Sequence, residues 1–146
     1  MFNKFKMEFP ALACNESFAR MIAAGFVMEL NPTCEELSEI KTAVSEAVTN
    51  SIIHGYSGGE GVITFEGELS CGVVKFIIQD TGKGIEDVEQ ARKPLFTGAP
   101  DGERSGMGFT IMEAFMDSVE VVSKKDAGTK IVLIKNITQE VMASGS

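Results

Sequence analysis

The 146-residue chain has no tryptophan, one tyrosine, one histidine, three cysteines and four prolines, and its 13 basic residues are outnumbered by 21 acidic ones. Each scarcity removes a class of function. The cysteines, Cys14, Cys34 and Cys71, are odd in number and fall at no metal-ligand spacing. That argues against a disulfide scaffold or a zinc module, with reduced thiols the simplest state. A net charge of −8 argues against nucleic acid as a direct partner, because phosphate contacts need a basic face. No apolar run approaches the roughly 18 residues that span a bilayer. The start, Met1-Phe2-Asn3-Lys4-Phe5-Lys6, lacks the apolar stretch and cleavage site of a secretory signal. A cytoplasmic location without membrane association is therefore expected.

Hydrophobic residues make up 44% and charged residues 23%, and the length suits one domain with a real core. Residues 4–9 alternate basic and apolar, as in a half-buried strand closed by Pro10. Phe18, Ile22, Gly25, Phe26 and Leu30 recur at helical spacing, with Asn15 placed to cap that helix and Asn31-Pro32 to end it. Thr33-Cys34-Glu35-Glu36 reads as a capping box opening a second helix. That helix turns Leu37, Ile40, Val44, Ala47, Val48 and Ser51 inward and stops at His54-Gly55. Two strands, Val62 to Leu69 and Val73 to Gln79, form a hairpin around Ser70-Cys71-Gly72. A last helix runs from Phe109 to Met116, followed by strands from Ser118 to Ser123 and Thr129 to Ile137. Between Ile85 and Gly108 the pattern is broken by Pro94, Gly98, Pro100 and Gly102, apart from a short helical stretch at 87–92. A loop of that length within one domain is usually functional. The pattern predicts an α+β fold, with helices on one face of a mostly antiparallel sheet.

Three short segments carry chemistry. Glu46 and Asn50, four apart on the second helix, project from one stripe at the border of its apolar face. A solvated polar pair would show the same spacing. Asp80-Thr81-Gly82-Lys83-Gly84 follows an apolar strand directly, so a carboxylate stands at a strand end beside glycines that permit close backbone approach; a tight turn would also use the glycines. Arg104-Ser105-Gly106-Met107-Gly108 opens the last helix, whose free N–H groups make an anion site to which Arg104 adds charge. A flexible hinge with an incidental arginine is the plain alternative. Neither glycine pattern fits a P-loop or a dinucleotide fingerprint.

In this order, and with Gly128-Thr129 before the final strand, these segments resemble the four boxes of the GHKL (Bergerat) ATP-binding fold. That superfamily holds gyrase-type topoisomerases, ninety-kilodalton chaperones, mismatch-repair ATPases and histidine kinases. The stretches Asn15-Glu16-Ser17-Phe18-Ala19-Arg20, Ser45 to Asn50 running into Ile53-His54-Gly55-Tyr56, Pro94-Leu95-Phe96-Thr97 and Glu103 to Met112 narrow the resemblance. They are similar to the sporulation anti-sigma factor family, bacterial serine-protein kinases that sequester a sigma factor of the sigma-F type and phosphorylate an anti-anti-sigma factor.

The resemblance implies a two-layer α/β sandwich of one domain over residues 1–146, with an ATP lid at about 86–107. A tail at about 138–146 resembles nothing decisive and is read as disordered. It also implies Mg²⁺ with ATP or ADP as cofactors, and a homodimer. Asp80 would accept from the adenine amino group with Thr129 at the same edge, and Gly82 and Gly84 would let the chain pass the base. Asn50 would ligate the metal, and Ser105, Gly106, Met107 and Gly108 would lie along the phosphates. Arg104 would touch the γ-phosphate, and Glu46 would be the general base for a substrate serine. His54 would cap its helix or line the pocket, because a phosphoacceptor histidine needs a separate helical hairpin before the ATP domain. Glu16 and Arg20, four apart on the first helix, would face the protein partners; a local ion pair between them is the alternative. A topoisomerase or chaperone ATPase would need further domains, and a nucleotide-gated binding module without kinase activity is the remaining alternative.

Overall fold

The computed structural model describes residues 2–85, 88 and 105–137. Five strands form one sheet: β1 (Phe2–Pro10), β2 (Val62–Ser70), β3 (Val73–Asp80), β4 (Ser118–Lys124) and β5 (Gly128–Asn136), in the order β1-β2-β3-β5-β4. Every pairing is antiparallel. The helices α1 (Cys14–Val27), α2 (Cys34–Thr49) and α3 (Ser105–Phe115) supply the second layer. The expected α+β two-layer sandwich is what the chain forms.

Alternation along the strands decides which face is covered. Leu69, Phe65 and Ile63 of β2 and Val74, Phe76 and Ile78 of β3 are buried under the helices, as are Leu133 and Ile131 of β5. The register sets Leu69 against Val74, Phe65 against Ile78, Phe76 against Leu133 and Ile78 against Ile131. Lys4, Lys6 and Glu8 of edge strand β1 stand on the opposite, exposed face, where charge discourages edge-to-edge pairing. The aromatic content is concentrated at one end of the core. Phe5 meets Phe26 edge-on at 4.8 Å, and Phe65 stacks on Phe76 at 5.8 Å. Gly67 lies beneath the Phe5 ring, where any β-carbon would overlap it.

Local chemistry sets the element ends. Thr33 and Glu36 form the expected capping box, with bonds of 3.0 and 2.9 Å. Cys71 and Gly72, both at positive φ, make the two-residue turn between β2 and β3. Two expectations for α1 are corrected. Asn15 lies inside the helix and does not cap it: its amide bonds back to Pro10 O at 2.9 Å and fixes the bend out of β1. The buried stripe is Ala19, Ala23 and Val27, while Phe18 and Gly25 are exposed. Small residues let α1 pack closely on α2. Met28–Leu30 continues as one 3-10 turn.

Candidate functional site

α2 is regular through Thr49, and Asn50–Gly55 then winds as a π-helix. Such insertions are rare and concentrate at functional sites. The Asn50 N–H is shared between Ala47 O and Glu46 O, and the wider turn carries Ser51 into the core at 1% exposure. Ser51 Oγ donates to Asp80 Oδ2 at 2.7 Å, and the Gly82 N–H donates to Asp80 Oδ1 at 2.9 Å. Asp80, at the end of β3, is only 2% exposed. A carboxylate has about four lone-pair sites. Two bonds therefore leave acceptor capacity in a buried place. Gly55 packs on the same carboxylate, where a β-carbon would stand 2.9 Å from Oδ2.

Thr129, the second residue of β5, sits directly across from Asp80 in the β3–β5 register and is buried. Its Oγ1 lies 2.7 Å from Ser123 Oγ, which accepts from Ile85 N at 2.7 Å and donates to Gly128 O at 3.1 Å. With the Ser123 proton on Gly128 O, Thr129 is the donor to Ser123 and keeps its own lone pairs. An open depression of about 340 Å³ at this end of the sheet is lined by Asp80, Ser123 and Thr129 together with Gln79, Val122 and Lys130, which alternate to the opposite face. Tyr56 Oη donates to Val62 O and accepts from Thr81 N, both at 2.8 Å, pinning the backbone just after Asp80. His54 is half-buried in the π-helical turn.

The glycines after β3 are required by the protein's own backbone. A β-carbon on Gly82 would overlap Gly55 O, and one on Gly84, whose φ is +74°, would overlap Lys124 O. Asp80 and Gly82 are thus brought together with Thr129, while Gly84 packs against the β4–β5 turn.

Glu46 is half-buried on α2 one turn before Asn50, also half-buried. The start of α3 comes up against it: a β-carbon on Gly108 would lie 3.4 Å from Glu46 Oε1. Ser105, Gly106 and Met107 are in the backbone of that first turn. Arg104 lies outside the described residues, as do the tail at 138–146 and the lid at 86–107 apart from Val88 and the helical residues 105–107.

Glu16 and Arg20 form an ion pair at 2.8 Å on α1, and Arg20 also donates to Ser17 Oγ at 3.0 Å. Ser45 Oγ on α2 donates to the same Glu16 oxygen. Glu16 therefore links the two helices next to Glu46.

Ser51, Ser123 and Tyr56 were not singled out from the sequence. Ser51 alone left a signal there, a hydroxyl within an otherwise apolar inward stripe. Among the described residues no three His, Cys, Asp or Glu side chains gather as a metal cage, and the three cysteines are exposed and free. No helix among them is long and apolar enough to cross a membrane.

Comparison with known proteins follows the same lines. A family model described as a histidine kinase-like ATPase domain matches residues 9–135. An anti-sigma F factor of Clostridium perfringens is 53% identical over 138 residues, covering 94% of this chain and 99% of that protein. Among solved structures, the RsbU and RsbW domains of a Mycobacterium tuberculosis protein superpose with a TM-score of 0.66 at 18% identity, covering 92% of this chain and 32% of that one. The catalytic domain of the histidine kinase ThkA does so with a TM-score of 0.59 at 16% identity, covering 96% of this chain and 98% of that one. These two likenesses establish the fold, and the identity to the Clostridium protein over nearly both full lengths establishes more. The chain belongs to the anti-sigma F factor family, built on the histidine kinase-like ATPase domain.

Proposed function

We propose that the protein is an anti-sigma factor and a serine-protein kinase of sporulation in one domain. It would hold a sigma factor of the sigma-F type and use Mg-ATP to phosphorylate a serine of an anti-anti-sigma factor. The observation that carries this reading is the order of groups along the end of α2. Glu46 stands against the first turn of α3, Asn50 follows one turn later, and Ser51 is bonded to Asp80 at the far end. A purine would lie against the edge formed by Asp80 and Thr129, its exocyclic amine donating to the carboxylate's remaining acceptor sites. Its phosphates then extend toward α3, where the N–H groups of Ser105 to Gly108 and the Arg104 guanidinium meet them.

The donor chemistry also fits a hard cation. Asn50 would hold Mg²⁺ through its amide oxygen, with phosphate oxygens and water as the other ligands. Bound there, the ion would neutralise charge on the transferring phosphoryl group. Glu46 takes the proton of the substrate serine hydroxyl. Arg104 stabilises the charge that develops on the γ-phosphate oxygens.

Protein partners are read at α1, where Arg20 and Glu16 stand beside the catalytic helix. Exposed Phe18 and Met21 on α1, with Leu12 before it and Met28 after it, support a homodimer. The net charge of −8 suits a basic partner surface, does not suit direct contact with nucleic acid, and fits a cytoplasmic protein without membrane association.

The test combines labelled ATP, a purified anti-anti-sigma factor and a purified sigma factor. Phosphoserine on the first and nucleotide-dependent retention of the second are expected. Retention of the sigma factor without any phosphoserine would instead assign a nucleotide-gated binding module.

A further inference from the structure

Lys135 is on the inner, apolar face of β5, two residues from fully buried Leu133, and is itself only 8% exposed. Its Nζ donates to Phe115 O at 2.6 Å and pairs with Glu39 Oε1 at 2.9 Å. One buried charge therefore joins three elements: the sheet, the last residue of α3 and the first half of α2.

Stability does not explain the choice of lysine. A buried ion pair gains little over an apolar pair of similar volume, because desolvation offsets the attraction. What the charge supplies is a directed contact. Phe115 O belongs to the end of a helix, where carbonyls lack partners and the dipole favours a cation. Two further bonds secure the same end, from Asp117 N to Ile134 O at 2.9 Å and from Asn136 N to Asp117 Oδ2 at 2.6 Å. Lys135 extends that anchor to α2.

The spacing gives the anchor its meaning. Glu39 and Glu46 are seven residues apart on α2, about two turns and roughly 10.5 Å, and lie within about 20° of one another around the helix. Phe115 and Gly108 are seven residues apart on α3. Lys135 binds Glu39 and Phe115 at one end of this matched pair, while Glu46 and Gly108 adjoin at the other. The helices run antiparallel, and a one-residue slip of α3 would move Gly108 about 1.5 Å along Glu46. Displacements of that size at a reacting centre cost about a hundredfold in rate.

We propose that Lys135 is a positioning residue that sets the register of α3 against α2, and so fixes the phosphate-facing turn relative to Glu46 and Asn50. The inference rests on the phosphotransfer reading of the site.

The test replaces Lys135 by Met, which keeps the length and apolar character of the side chain. Lys75→Met, at a half-exposed pair with Glu68 on the sheet, is the control. The turnover number and KM for ATP in phosphotransfer, the affinities for ATP and ADP, and the thermal midpoint are read for each protein. Lys135→Met leaves Glu39 and Phe115 O without their cation, so its midpoint is expected to fall. Assayed well below that midpoint, it is expected to bind ADP within about twofold of wild type, while its turnover number falls at least about tenfold. Lys75→Met is expected to match wild type throughout. An unchanged turnover number for Lys135→Met overturns the proposal, and so does a parallel loss of turnover and ADP binding below the midpoint, which is the mark of a merely structural residue. If Lys135→Met does not fold, Glu39→Gln takes its place with the same expectations. If the wild-type protein binds nucleotide but transfers no phosphate, the phosphotransfer reading fails separately, and Lys135 is judged by the ratio of ATP to ADP affinity. A ratio that falls in the variant supports the positioning role and an unchanged ratio overturns it. A wild type that binds neither nucleotide overturns both.

Discussion

Ser51 and Asp80, 29 residues apart in the chain, meet in a 2.7 Å hydrogen bond that ties the π-helical end of α2 to the end of β3. The bond holds the buried carboxylate in one rotamer and leaves it only partly satisfied. Ser51→Ala removes a donor from a carboxylate that is only 2% exposed. We expect a loss of about 1–3 kcal/mol in urea unfolding. A several-fold weaker affinity for ADP is expected by calorimetry, since the acceptor sites offered to the base would no longer be fixed.

Glycine substitutions separate space from conformation. Gly25, on exposed α1, has no neighbouring atom within 4 Å of the position a β-carbon would take, so Gly25→Ala should stabilise by about 0.5–1 kcal/mol. Gly84 has φ +74° and its β-carbon would overlap Lys124 O. Left-handed geometry alone costs roughly 1–2 kcal/mol. Gly84→Ala should therefore lower the thermal midpoint by several degrees while Gly25→Ala raises it.

Tyr56 provides a second check on how the site is held. Tyr56→Phe breaks the bridge from Thr81 N to Val62 O and should cost about 1–2 kcal/mol. Amide exchange at Thr81 should accelerate, with little change at the core of β3.

Arg20→Glu addresses the partner surface. The Arg20–Glu16 pair is partly exposed and of the kind worth under about 1 kcal/mol, so the fold should barely change. Capture of the sigma factor and of the anti-anti-sigma factor should both fall sharply in a pull-down.

The sheet and its helices were legible because alternation and helical spacing are local. Phe65, Phe76 and Leu133 declare their face by period two, and the Thr33–Glu36 box by its residue types. The start of α1 departs from the sequence pattern for a physical reason, while the end of its 3-10 continuation at Asn31 agrees with it: Asn15 has the chemistry of a cap, but its amide finds Pro10 O instead. The small residues Ala19 and Ala23 face the core where the larger Phe18 was expected to do so. At the candidate site, Glu46, Asn50, Asp80 and Thr129 could be named from short motifs. The π-helical turn has no residue signature, so the placement of Ser51 against Asp80 could not be. Nor could Lys135, whose partners Glu39 and Phe115 come from separate elements.

The central claim is that Glu46 acts on a serine hydroxyl at the phosphate end of a nucleotide site. Glu46→Gln keeps the size and hydrogen-bonding capacity of the side chain and removes its basicity. Single-turnover phosphoserine formation on the anti-anti-sigma factor, measured alongside ATP affinity, tests the claim directly. The account predicts ATP binding within about threefold of wild type and phosphotransfer slower by about 10²–10⁴-fold. Phosphotransfer at the wild-type rate would contradict it.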